Sequence, residues 1–91
     1  MKRRTAEDIG AAALRFLAEE PGRLYGFLNA TGLSADALRG GAEDSAILLA
    51  ALAHAGSDET LAKAFCAAEA LKPGALQGAL AILDPHSFGQ G

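Results

Sequence analysis

The chain has 91 residues, a formal net charge of −3, one cysteine and 51% hydrophobic residues. That length supports one domain able to bury a core without disulfide staples. Valine and tryptophan are absent and argue against a sheet, the acidic balance argues against nucleic-acid binding, and the longest apolar run, Ala46 to Ala53 at eight residues, is far short of the ~20 that cross a bilayer.

The spacing predicts helices throughout. Thr5 is placed to cap the first, with Glu7 and Asp8 in its opening turn, where the helix dipole favours acids. Ile9, Ala13, Phe16 and Leu17 then fall on one face. Glu20-Pro21 ends this helix, because the residue before proline resists helical angles, and Pro21 opens the next. Leu24, Phe27 and Leu28 form a second apolar stripe, and Gly32 stands where a left-handed terminator belongs. Ser34 caps a short third helix holding Leu38, which Gly40-Gly41 stops.

Glu43 or Asp44 opens the fourth helix, Ser45 to Ala55, which is apolar on all sides and therefore reads as a central helix buried all round. Gly56 closes it. Ser57 reads as the cap of the fifth, whose core face is Leu61, Ala64, Phe65, Ala68 and Leu71. Lys72-Pro73 breaks that helix, and Pro73 starts a sixth carrying Leu76, Ala79, Leu80 and Leu83 on one side. The expected organisation is a flexible basic N-terminus at 1–4, one all-helical domain at 5–84 and a flexible tail at 85–91. The fold class is all-α, a compact single-domain bundle of five to six short helices around an apolar central helix.

Leu24 to Arg39 has the helix–glycine–leucine–serine–helix grammar of a DNA-reading helix-turn-helix, so it needs weighing. That motif wants a small residue four positions before the glycine, and Leu28 is large. Its last core position falls near Gly41, which reads as no core residue. From Ser34 to Thr60 there are five acids against one base, and polyanion binding runs on bases. The corner reads as scaffold, with a DNA-associated regulator as the alternative.

The same residues carry a family resemblance. Leu24, Phe27-Leu28, Thr31-Gly32-Leu33 and Leu38-Arg39 form its central motif, preceded by Ala13-Leu14, Phe16-Leu17-Ala18 and Pro21. Leu48, Leu52, Asp58-Glu59, Leu61 and Phe65 look like its second half. In these positions the chain resembles a small bacterial family, domain of unknown function 3572, over roughly residues 6–83. The resemblance implies a small helical cytoplasmic protein and no particular activity.

Candidate chemistry is sparse. His54 falls near the carboxyl end of the central helix, where an imidazole meets the last carbonyls. Cys66 lies away from the expected core face, either partly exposed or covered by another helix, and its surroundings are mixed, with Lys63 three residues before it and Glu69 three after, so it reads as an inert small residue. The acid pairs Glu43-Asp44 and Asp58-Glu59 sit where helices begin, which is a capping use, and Glu19-Glu20 reads as a solvated helix end. No CxxC, HExxH, phosphate loop or GxSxG is present, so no catalytic residue, metal or cofactor is assigned. The lysine–arginine start runs into Glu7 and Asp8 rather than an apolar segment, so the expected location is the cytoplasm. The expected activity is a non-enzymatic protein-interaction or regulatory module, its partner another protein or a second copy, with no membrane or small molecule indicated. The candidate contact residues are Arg39, which ends the short third helix, Tyr25 in the same segment, and Leu14 and Ile82, which fall outside their helices' apolar stripes.

Overall fold

A computed structural model describes residues 1–72 and 74–84. Among them are six α-helices and one 3₁₀ turn, in chain order α1 (Arg3–Ala18), α2 (Pro21–Thr31), α3 (Ala35–Arg39), the turn (Gly41–Glu43), α4 (Ser45–Ala55), α5 (Glu59–Ala68) and α6 (Ala75–Leu83). Pro73, expected to open α6, and the tail 85–91 lie outside the described residues.

Most helix ends follow local chemistry. Pro21 occupies the first turn of α2, where its missing N–H costs nothing. Gly32 adopts φ 75°, and its N–H closes α2 on the Leu28 carbonyl at 2.8 Å. Ser34 Oγ accepts from the Ala37 N–H and caps α3 as expected. Asp44 does the same for α4, accepting from the Ala46 N–H at 2.9 Å.

Two caps differ from expectation. α1 begins at Arg3 with Lys2 as its cap, so Thr5 lies inside the helix and two of the basic residues assigned to the N-terminal segment are helical. The acid at position 58, not Ser57, caps α5 by accepting from the Thr60 N–H. Ser57 instead donates its hydroxyl to the His54 carbonyl at 2.7 Å, finishing α4.

α5 stops at Ala68, and Leu71 packs on the core from the following turn rather than from the helix. The Leu71 N–H bonds the Cys66 carbonyl and the Ala70 N–H bonds the Ala67 carbonyl, the pattern of a Schellman ending. The left-handed position within it is Ala70, at φ 53°, instead of the usual glycine.

α4 is the hub: it packs on α1, α2, α5, α6 and the 3₁₀ turn. It buries Leu48, Ala51, Leu52 and Ala55. It is not covered all round, because Ala46 and Ala53 are exposed. A uniformly apolar helix of alanines and leucines can leave its alanine side open at small cost, since alanine has little surface to lose.

α1 lies against α4 at very short range, and Gly10 is the reason. A Cβ at Gly10 would stand 2.9 Å from Leu48 Cβ. α1 also packs on α6, α2 and the turn, so its buried surface extends from Ala6 to Leu17 on more than one face. Phe16 and Phe65 meet in the core with ring centroids 5.3 Å apart and planes tilted by 54°, a favoured aromatic geometry. α5 shows Ala64 and Ala68 to solvent, correcting their core assignment, and buries Phe65 with Leu61, Ala62 and Cys66 packed beside it. Its inward face is thus rotated by about one residue from the expected one.

Candidate functional site

The α1–α2 corner is locked by Arg23, a residue with no part in the expected site. Its guanidinium sits 3.9 Å from the Phe16 ring centroid. It donates to the Phe16 carbonyl at 2.8 Å and pairs with the Glu20 carboxylate at 2.8 Å. The side chain is 27% exposed, so these contacts work in a partly dry setting where they count for more than at the surface. This cation is turned inward, and no other charged residue occurs between Pro21 and Thr31.

The outer face of α2 is therefore neutral. Tyr25 stands on it with 71% of its surface exposed. Gly22 and Gly26 lie on one side of it, and a Cβ at either would meet nothing within 4 Å. Leu24 is half-buried, and Phe27 holds the inward side, fully buried and tilted against the His54 ring at 5.4 Å. His54 thus has a packing partner from α2 as well as its place at the end of α4.

Arg39 ends α3 in the open. Its Nε lies 3.6 Å from Asp36 Oδ1, and the two side chains are 83% and 84% exposed. A pair so exposed holds neither partner firmly, which leaves the guanidinium available to a contacting group. α3 is five residues long and buries none of them. One acid and one base on its surface do not make the row of cations that follows phosphates.

Leu14 is not on the surface. It is 8% exposed and packs by Gly41, which is also buried. A Cβ on Gly41 would come 2.8 Å from Ile47 Cγ2 and 3.1 Å from Leu14 Cδ2. Gly41 is thus a core position filled by backbone, correcting its reading as no core residue. Ile82 is half-buried and lines a cleft of about 260 Å³ formed by α1, α4 and α6. Arg3 belongs to this cleft, a role the sequence does not show because three distant helix ends build it. Leu14 and Ile82 therefore share no exposed patch, whereas Tyr25 and Arg39 lie on two helices joined by one short turn.

Cys66 is a half-buried free thiol packed against the core rather than turned away from it. Among the described residues no group of His, Cys, Asp and Glu side chains gathers to hold a metal ion, and no helix is long and apolar enough to cross a membrane.

A family model described as a protein of unknown function, DUF3572, matches residues 3–86. The chain belongs to the DUF3572 family. Neither the curated proteins nor the solved structures gave a match. For DUF3572 the all-helical fold expected from the motif is thus given a concrete form here: Leu24 is half-buried, Phe27 is buried, Gly32 is left-handed and Ser34 is a cap.

Proposed function

We propose that this chain is a small, non-enzymatic interaction module of the cytoplasm that contacts a protein partner through the outer face of α2, with Tyr25 as the anchor. The observation that carries this reading is the 71% exposure of Tyr25, when Phe16, Phe27 and Phe65 are all buried. A tyrosine ring brings a large apolar face and a hydroxyl with little conformational entropy to lose, which makes it a frequent interface hot spot.

Gly22 and Gly26 support the same reading. Gly26, inside the helix, costs about 1 kcal/mol of helix stability relative to alanine, and neither glycine is required by packing within the chain. Their effect is to keep the surface on one side of the ring low, so that a partner's backbone can come close there. The face carries no free charge that a partner must desolvate, because Arg23 is turned towards Phe16 and Glu20. Arg39 is the second candidate contact, suited to a carboxylate on the partner.

The test is affinity capture from the native cell with the full-length tagged chain, comparing wild type with Tyr25→Ser and Arg39→Glu. A supporting result is a partner that also binds as a purified protein and whose affinity falls at least about tenfold with Tyr25→Ser, while circular dichroism is unchanged. If every recovered protein binds the Tyr25→Ser chain as well as the wild type, the reading is wrong.

A further inference from the structure

The exposed face of α2 holds a projection and a recess side by side. Pro21, Gly22, Tyr25, Gly26, Asn29 and Ala30 are all exposed and all neutral, so a copy of this face brings no like charge against it. Tyr25 is the projection. Gly22 and Gly26 make the recess, because nothing from elsewhere in the chain comes within 4 Å of where their Cβ atoms would stand. At about 100° per residue they lie about 60° and 100° to one side of the ring, and Asn29 about 40° to the same side. Along the helix axis Gly26 is one residue from Tyr25, a rise of about 1.5 Å.

A closed pair of identical chains is built on a two-fold axis, so one patch must fit itself. In an antiparallel pair of α2 helices the axis crosses the helices and keeps each residue on its own side of the seam. Ring then meets ring, and recess meets recess with a gap between. In a parallel pair the axis runs along the helices and exchanges the two sides. Each Tyr25 ring then lies over the glycines of the copy, at almost the same height. Asn29, near the middle of the face, meets Asn29 of the copy across the axis, where one amide N–H donates to the other amide oxygen. A single polar residue at such a seam fixes register and orientation.

Resting on the reading that α2 presents an interaction face, we infer that the partner it fits is a second copy of this chain. The two α2 helices pair in parallel about a two-fold axis, with each Tyr25 ring seated on Gly22 and Gly26 of the other chain. The association is reversible and weak. α2 has 11 residues, a length of about 16 Å, which offers less than the ~800 Å² per partner of a stable complex. A dissociation constant on the order of 0.1 mM suits a contact of that size.

The full chain is followed by sedimentation equilibrium and amide NMR from about 10 µM to 1 mM, the range that brackets such a constant. The expected result is a monomer–dimer equilibrium with concentration-dependent shifts at Gly22, Tyr25, Gly26 and Asn29. Tyr25→Ser removes the ring and Gly26→Leu fills the recess; each should weaken self-association at least about tenfold, with circular dichroism unchanged because both positions are exposed. Mixed in equal amounts, the two variants should pair more tightly than either does alone. The mixed pair restores one contact, Tyr25 of the Gly26→Leu chain on Gly26 of the Tyr25→Ser chain. The inference is overturned if the wild type stays monomeric at 1 mM, if the dimer survives either substitution, or if the mixture pairs no better than its components. A monomeric chain that still captures a protein through Tyr25 overturns the second copy and leaves the interaction face standing. A monomeric chain whose captured proteins ignore Tyr25→Ser overturns both.

Discussion

Replacing Gly10 by alanine should destabilise this protein, although the same change in an ordinary helix stabilises it. In a helix interior alanine is worth about 0.8–1.0 kcal/mol more than glycine. At Gly10 the new methyl would lie 2.9 Å from Leu48 Cβ, with the Leu48 carbonyl and Leu83 Cδ1 both at 3.5 Å. Carbon atoms rest at about 3.5–4.0 Å, so the closest contact is short by at least about 0.6 Å. The obstructing atom is fixed to the α4 backbone and cannot swing aside, so α1 and α4 must part. Overpacking of this kind costs about 1–3 kcal/mol, leaving a net loss of about 1 kcal/mol after the helix gain. Gly26→Ala on α2 is the control, since its methyl meets nothing within 4 Å and should keep most of the ~1 kcal/mol gain. At about 4–8 °C per kcal/mol for a domain of this size, the two variants should differ in Tm by about 10 °C, with opposite signs relative to wild type. Thermal and urea unfolding by circular dichroism read the difference. If Gly10→Ala stabilises as much as Gly26→Ala, the close crossing of α1 and α4 is refuted.

Arg23→Ala should cost about 1–2 kcal/mol, because it removes the contact over Phe16 together with the charged hydrogen bond to its carbonyl, whereas Glu20→Gln, at the more exposed end of that pair, should cost under about 0.5 kcal/mol; equal losses in urea unfolding would contradict the geometry. Asp58→Ala should lose about 1 kcal/mol as the true cap of α5, and a larger loss from Ser57→Ala would restore the serine as the cap. Ala70→Gly should raise stability by about 1 kcal/mol by relieving the left-handed alanine, and a fall in Tm would show that the position is not left-handed. Arg39→Glu should leave stability within about 0.5 kcal/mol; a larger loss would mean that Arg39 serves the fold rather than the surface.

What could be read in the sequence was the chemistry that neighbours in the chain decide. Pro21, Gly32 and Ser34 mark helix ends because their backbone preferences and side-chain acceptors act within a few residues. What escaped depends on elements meeting across the fold. Leu14 lies off the stripe of Ile9, Ala13, Phe16 and Leu17, and a helix with one partner would have exposed it. α1 has several partners, and the 3₁₀ turn reaches over to cover Leu14. Gly10 and Gly41 look alike in sequence to the open Gly22 and Gly26, because only the opposing surface separates a glycine that permits close packing from one that merely leaves space. Tyr25 and Arg39 could be named from the sequence, since they belong to one continuous segment. The cleft that Arg3 and Ile82 line could not, since it joins α1, α4 and α6, which are far apart in the chain.

The packing of α1 on both α4 and α6 sets an order of events at the ribosome. α1 leaves the ribosome before α4 and α6, the two helices against which it packs most. Roughly 3 to 11 s of synthesis separate Ala18 from Ala75 at about 5–20 residues per second. For that interval the nascent chain carries α1 without the α6 surface that packs on it. The domain must therefore close from its two ends late, and a stall after α5 would leave an apolar face for a chaperone to hold.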